Sequence, residues 1–345
     1  MTLKVGIIGA TGYVGAELVK LLHGHSKVEI SSISSVSYKG KTFSEVYPSF
    51  YNVNNLICED QETVIEKSDV IFLALPNGLS ENIAYKITNQ NKLCIDMGAD
   101  FRFKSSSTYK NWYGSDFSLP KLHEKSVYGL PELNRKKIKN SKLIGNPGCF
   151  ATSIELALLP LISNDIIEET GIIADSKSGV TGRGRSLSEG SLFTNCNENF
   201  SAYKIANHRH VPEMEEVLDS VSKSHVKITF TPHLLPVNRG ILSTIYTSPK
   251  NKIDIKKIHE YYKSFYEKEP FVNVLPLGET SKINNVRLSN YCQISLHHDT
   301  ENNKLILISC IDNMIKGAAG QAIQNMNIAC GFDEKDGLDI IPSIF

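Results

Sequence analysis

At residue 9 the chain reads Gly9-Ala10-Thr11-Gly12-Tyr13-Val14-Gly15, directly after the apolar run Val5 to Ile8. Behind it, Ala16 to Leu22 carries Leu18, Val19, Leu21 and Leu22, as a partly buried helix would. Glycines at this spacing, between a strand and a helix, leave few options for the start of the chain. The turn lets backbone approach a pyrophosphate, which rests on the helix N-terminus. A dinucleotide site at Gly9, Thr11, Gly12, Tyr13 and Gly15 is the expectation.

The following segments extend that beginning. Val28 to Ile33, Asp69 to Leu75, Lys92 to Ile95 and Lys142 to Ile144 read as strands, with a helix over Ser80 to Thr88. The nearly continuous apolar run Asp69 to Leu75 suits a strand covered on both faces. Alternating strands and helices predict an α/β Rossmann NAD(P)-binding domain over residues 1–148. Beyond it, Gly171 to Ser176, Val226 to Thr231, Gly240 to Thr247, Tyr291 to Leu296 and Lys304 to Cys310 are strand candidates. Only a helix such as Ile253 to Tyr266 separates some of them, which predicts an α+β domain with a mixed or antiparallel sheet over 149–314. A last helix spans about Lys316 to Ala329 and opens on Gly317-Ala318-Ala319-Gly320.

Composition narrows the partners. Lysine plus arginine and aspartate plus glutamate number 37 each, so nothing favours nucleic acid or an anionic membrane. No apolar run reaches the roughly 18 residues that span a bilayer. The N-terminal run reads as a first strand rather than a signal peptide. Seven cysteines, an odd number without a Cys-x-x-Cys pair, read as reduced thiols of a cytoplasmic protein.

An NAD site places an acid on the ribose about 20 residues after the glycine turn. Here Ile33 is followed by Ser34, Ser35, Val36 and Ser37, with Lys39 and Lys41 close by. Hydroxyls and cations without an acid favour the 2′-phosphate of NADP.

Cys149 stands apart from the other thiols. Asn146-Pro147-Gly148 enforces a turn before it, and Ala151 to Leu159 reads as a helix after it. A helix N-terminus lowers a thiol's pKa, and its N–H groups stabilise an oxyanion on a carbonyl attacked by sulfur. Acid–base partners are found in His208-Arg209-His210, with His233 as a second choice. His-x-His without a third ligand does not read as a metal site. His297-His298 beside Asp299 reads as a solvated turn. Arg102, Arg183, Arg185, Arg209 and Arg239 lie in polar or glycine-rich loops, where a guanidinium fork can hold carboxylate or phosphate.

The ordered set "GATGYVG", "LPNGLS", "DMGADFR", "YGLPELNR", "GNPGCFATS", "SKSGVTGRGR", "HRHVPE", "TPHLLPVNRGI" and "IDNMIKGAAGQAIQNMNIACGFDE" resembles the N-acetyl-γ-glutamyl-phosphate reductase family over nearly the whole chain. The resemblance implies an NADPH-dependent reduction of N-acetyl-glutamyl 5-phosphate to the 5-semialdehyde, with release of inorganic phosphate, in arginine biosynthesis. It implies that Cys149 takes the acyl group and that His210 or His208 moves the protons. Arg102, with Asn146 and Arg183, would hold the substrate. Asn313 would sit near the nicotinamide, and Ser178 and Gly179 would shape the cleft. The C-terminal helix, within 315–345, would return to the Rossmann domain, the α+β domain over 149–314 would serve catalysis and oligomerisation, and the protein would be a homo-oligomer, a dimer or tetramer. Three positions depart from the family pattern: Asn77 replaces a histidine, Phe150-Ala151 replaces Tyr-Pro, and Val36 replaces an arginine. An aspartate-semialdehyde dehydrogenase-like enzyme and a non-catalytic dinucleotide-binding regulator are the rival readings.

Overall fold

The computed structural model describes residues 2–344, which divide into two compact units. The first takes the chain through Pro147 and then Ala318–Asp339; the second takes Gly148–Gly317 and the chain from Ile340 on. The final segment therefore does not go wholly with the first unit. Residues 315–317 and those beyond Asp339 belong to the second, where Ser343 N–H donates to the Arg287 carbonyl (3.2 Å).

The first unit is built on seven parallel strands: β1 (Leu3–Ile8), β2 (Val28–Ser34), β3 (Cys58–Glu59), β4 (Val70–Leu73), β5 (Leu93–Asp96), β6 (Val127–Tyr128) and β7 (Leu143–Gly145). Their order is β3-β2-β1-β4-β5-β7-β6, and every neighbouring pair is parallel. β4 and β5 are buried at every residue, as strands covered on both faces must be. The chain winds outward in both directions from β1, so β1 and β4 flank the switch point where ligands sit at the carboxyl ends of strands. The helix Tyr13–His23 leaves the β1 turn with Leu18, Val19, Leu21 and Leu22 buried.

The helix Gly320–Cys330 closes this unit, packing on Tyr13–His23, on the helix Pro131–Ile138 and on β5. It is buried through Ile328 although four of those residues are amides. Gln321 and Asn325 both donate to the Gly129 carbonyl (2.9 and 2.8 Å), and Asn327 bonds the His25 ring (2.9 Å). The helix is preceded by a π-helical turn, Ile315–Ala319, in place of the single α-helix that the sequence suggests from Lys316.

The second unit has a mixed sheet: β8 (Ile172–Ser178), β9 (Ser201–Ala202), β10 (Ile228–Leu234), β11 (Ile241–Thr247), β12 (Val272–Val274), β13 (Cys292–Asp299) and β14 (Lys304–Ile311), ordered β12-β13-β14-β11-β8-β10-β9. β8–β10 and β12–β13 are parallel and the other pairs antiparallel. His297 and His298 lie in β13, not in a turn. Along β8 and β11 buried residues alternate with less buried ones, so one face meets the core. The long helix Cys149–Ser163 lies on that face. Ser153 Oγ donates to Ser243 Oγ (3.0 Å) and Ser309 Oγ (3.1 Å). The other face carries the half-exposed row Ile173, Tyr246 and Ile306, paired across β8, β11 and β14.

The helix Cys149–Ser163 runs through Pro160, four residues beyond the end that its proline suggests. Proline has no N–H to give to the Leu156 carbonyl. The Tyr266 hydroxyl donates there instead, and the Tyr262 hydroxyl donates to Ala157 O (2.6 Å). Two tyrosines of the helix Ile255–Phe265 and its C-terminal flank thus satisfy carbonyls at the proline turn.

Candidate active site

In the first unit the glycine turn forms as expected, with different work for each glycine. Gly9 has φ +88°, and a Cβ there would lie 2.3 Å from the Ala74 carbonyl oxygen. A Cβ on Gly15 would lie 2.3 Å from the Gly9 oxygen. Gly12 meets only one atom within reach, at 3.5 Å, so the space in front of it is open. Gly12 also caps the helix Tyr13–His23, with no side-chain cap and no acid in the first turn. Open space over uncapped N–H groups fits a pyrophosphate. Thr11 Oγ1 and Ser35 Oγ are hydrogen-bonded (2.6 Å), which ties the turn to the end of β2. Tyr13 is part-exposed, Ser34 and Ser35 are buried, and Val36 is 98% exposed. Lys39 pairs with Asp60 (2.7 Å). Glu59 on β3 sits opposite Ser34, but its carboxylate takes Ser32 Oγ and Lys67 Nζ (2.6 Å).

Arg102 and Asn146 also brace the turn before Pro147. Arg102 donates to the carbonyls of Asn146 (2.7 Å) and Met97 (2.8 Å). Asn146 donates from its backbone to Asp96 O (2.8 Å) and from Nδ2 to Ala318 O (3.1 Å), and accepts from Asn325 (3.1 Å). Together they fix the strand end that leads into Pro147. Beside them Asp96 is fully buried at the carboxyl end of β5. Its Oδ1 accepts from Ser80 Oγ (2.6 Å) and Oδ2 has no hydrogen-bond partner. Burial, then the charge of Asp100, pushes its carboxyl up to about 7.

In the second unit Cys149 is the first residue of its helix, behind Gly148 in extended conformation. The rest of the helix through Ile162 is buried, while Cys149 itself is half-buried. No side chain caps the helix and no acid lies in its first turn. The Gly148 N–H, just outside it, donates to Glu213 Oε1 (2.7 Å). Glu213 is 1% exposed and belongs to the helix Val211–Asp219, so it ties the cysteine turn to the histidine pair. Burial pushes the thiols of Cys58, Cys94, Cys310 and Cys330 up, which makes them inert.

The two histidines have different environments. His208 Nδ1 accepts the His210 backbone N–H (3.1 Å), so that nitrogen carries no proton. Its ring meets Phe150, Phe230, Tyr203 and His210 edge-on. Burial, then the charges of His210, Lys204 and Arg209, lowers its pKa to about 2. Both effects favour the neutral ring of His208. His210 precedes the helix Val211–Asp219, with its ring 4.7 Å from His208 and 5.9 Å from Phe150. His233 lies instead on β10, stacked on Phe200 (5.0 Å) with Nδ1 3.0 Å from Asp175.

Cations gather near this pair. Arg183 stacks over Tyr203 (5.3 Å to the centroid). Lys204 has its pKa lowered by burial and by Arg209 and Arg183. Burial and the nearby Cys149 thiol push the Tyr203 hydroxyl up. Lys204 and Tyr203 carried no sequence signal beyond proximity to "HRHVPE", and Glu213 closes that motif without any sign of its reach to Gly148. Ser178 is buried, and a Cβ on Gly179 would strike the Asn238 backbone at 2.6 Å. Asn313 accepts from Gly240 N–H (2.8 Å) and donates to Thr181 Oγ1 (3.0 Å), so its amide pins that loop. Among the described residues no group of three His, Cys, Asp or Glu could hold a metal ion, and no helix is long and apolar enough to cross a membrane.

Comparison with known proteins follows this division. Residues 4–141 match "Semialdehyde dehydrogenase, NAD binding domain", and residues 149–313 match "Semialdehyde dehydrogenase, dimerisation domain". The chain is 67% identical over 342 residues to the N-acetyl-gamma-glutamyl-phosphate reductase of Clostridium kluyveri, covering 99% of each. It is 52% identical over 352 residues to the enzyme of that name from Brachyspira hyodysenteriae, covering 99% of this chain and 100% of that one. In fold it is similar to aspartate semialdehyde dehydrogenase II of Vibrio cholerae, solved with ASA (TM-score 0.73, 17% identity, 96% and 99% covered). The aspartate semialdehyde dehydrogenase of Candida albicans, solved with NADP, gives a TM-score of 0.69 at 16% identity, with 95% and 98% covered.

Proposed function

The chain belongs to the N-acetyl-gamma-glutamyl-phosphate reductase family, and on that premise we propose that it reduces N-acetyl-glutamyl 5-phosphate to N-acetyl-glutamate 5-semialdehyde. The observation that carries this reading is the half-buried thiol of Cys149 at an uncapped helix N-terminus, tied through Glu213 to His210. Cys149 sulfur attacks the acyl carbon and phosphate leaves with the C–O electron pair, giving a thioester. The helix N–H groups face charge developing on the carbonyl oxygen. Bound NADPH supplies the hydride. The resulting thiohemiacetal collapses to aldehyde, and the sulfur departs with the C–S electron pair. His210 holds and returns the proton in this cycle, because His208 is fixed neutral with Nδ1 engaged. Arg183, Lys204 and Arg209 attract the substrate's anionic groups.

Gly9, Thr11, Gly12, Tyr13 and Gly15 hold the pyrophosphate, and Ser34 and Ser35 favour NADP over NAD because no acid of β2 occupies that end. Ser178 and Gly179 shape the cofactor cleft, and Asn313, whose amide pins Gly240 and Thr181, lies near the nicotinamide. Arg102 and Asn146 hold the substrate as well as the turn before Pro147. The half-open sheet face with Ile173, Tyr246 and Ile306 suits a homo-oligomer contact, dimer or tetramer. Seven cysteines outside any disulfide fit a cytoplasmic setting. The test is phosphate-dependent oxidation of N-acetyl-glutamate 5-semialdehyde, followed as NADP is reduced, with NAD and aspartate semialdehyde run alongside. An inactive wild type, or a Cys149→Ala variant of full activity, refutes the reading.

A further inference from the structure

We propose that Gly317 is a positioning residue for the nucleophile: its missing side chain is the space into which Cys149 is set. A Cβ built on Gly317 would lie 2.8 Å from Cys149 Cβ and 3.3 Å from Cys149 Cα. Both contacts are to the root of the cysteine, which no rotamer can move away. Any side chain at 317 must push the first residue of the cysteine helix, and the sulfur with it.

The π-helical turn brings Gly317 there. The Gly317 N–H donates to the Asp312 carbonyl five residues back (2.9 Å), the bond that defines the wide turn. That turn cannot readily yield, because its start is fixed by a buried carboxylate. Asp312 Oδ1 accepts from Met314 N–H (2.8 Å) and Ile315 N–H (3.1 Å), and Oδ2 accepts from Leu288 N–H (2.8 Å). Arg239 lies 3.4 Å from the same carboxylate. The neighbouring Asn313 is held by Gly240 and Thr181. The strain of an added methyl group therefore falls on Cys149 rather than on the turn. An extra residue in a helix, which makes a π turn, has a physical use here: it sets a glycine, not its bulkier neighbours, against the thiol's backbone.

The inference rests on Cys149 being the nucleophile, and the experiment separates the two claims. Gly317→Ala and Gly317→Ser are made in the full chain. The semialdehyde assay gives kcat and the KM for NADP, and iodoacetamide labelling with peptide mapping gives the alkylation rate of Cys149. Expected is a loss of kcat of roughly ten- to a hundred-fold, larger for serine, since a misplacement of about 1 Å costs about that much. The KM for NADP should stay within about two-fold, and Cys149 alkylation should slow in parallel with kcat. A folded Gly317→Ala protein with wild-type kcat and wild-type alkylation overturns the proposal. If Gly317→Ala does not fold, Asp312→Asn decides. It keeps the volume, removes a charged acceptor from the turn and should lower kcat and alkylation several-fold, whereas unchanged rates overturn the proposal. A wild type inactive on the semialdehyde would instead refute the reductase reading, and the labelling rates would still test the positioning.

Discussion

Each unit builds a seven-stranded sheet, but only the first is parallel throughout. A parallel sheet points all its carboxyl ends to one edge, where main chain can meet a ligand. The first unit offers such an edge, with Gly9 at φ +88°, Gly12 with open space before it and an uncapped helix start. A mixed sheet has no such edge. The second unit instead gathers the side chains proposed for the chemistry at helix starts and loops: Cys149, His210, Glu213, Arg183 and Lys204. Damage to the first unit should therefore act on cofactor binding, and damage to the second on bond-making.

The largest effect should come from Cys149→Ala, which should lower turnover by at least about a thousand-fold while leaving NADP binding intact. Loss of NADP binding as well, measured by nucleotide fluorescence, would break the separation. Next, His210→Asn should lower kcat by roughly a hundred-fold or more. His208→Gln should cost far less in kcat, and equal losses would show that the pair acts as one. Gly9→Ala forces a side chain into a positive φ against the Ala74 carbonyl and should destabilise the first unit by about 1–3 kcal/mol. It should raise the KM for NADP with little change in Cys149 alkylation.

The two units should also respond to pH in opposite directions. Asp96 has a folded pKa of about 7 against an ordinary 3.8, so the folded chain keeps a proton that the unfolded chain has released. Its contribution to stability is present below about 4 and is lost as pH rises to 7. His208 has a folded pKa of about 2 against 6.5, so the unfolded chain binds the extra proton and stability falls as pH drops below 6.5. Trp112, the single tryptophan, reports unfolding of the first unit, and labelling of buried Cys310 reports the second. Asp96→Asn should flatten the first dependence and His208→Gln the second; a variant that alters neither would refute its assignment. The smallest effect should be Tyr266→Phe, which strips the Leu156 carbonyl of its donor and should cost about 1 kcal/mol in calorimetry.

Much of this was legible from local pattern. The glycine turn and the apolar runs of β1, β4 and β5 each carry their reason within a few residues. β3, β6 and β9 have two residues each and β12 has three, too few for periodicity; a neighbouring strand decides them. Pro160 reads as a helix end because its remedy, Tyr266, lies 110 residues from Leu156. The cysteine turn was readable as a nucleophile's setting, but the choice between His208 and His210 was not. The proposed choice of His210 rests on one backbone N–H closing onto one ring nitrogen of His208. Glu213 reads as an acid in the first turn of its own helix, and nothing local shows that it reaches Gly148, 65 residues away. Arg102 is a further case: its place in a polar loop suggests a ligand, and the carbonyls that also engage it are visible only once β7 is placed.

The closing helix has a consequence for synthesis. A ribosome releases residues from the N-terminus onward, and domains fold as units during that release. The second unit, Gly148–Gly317, is an almost uninterrupted stretch. The first must wait for Gln321 and Asn325 to reach the Gly129 carbonyl. The half proposed to make bonds is thus complete but for the residues beyond Asp339 while the half proposed to hold the nucleotide still lacks a wall, and a chain cut short before Gly320 would carry its thiol without a finished place for its reductant.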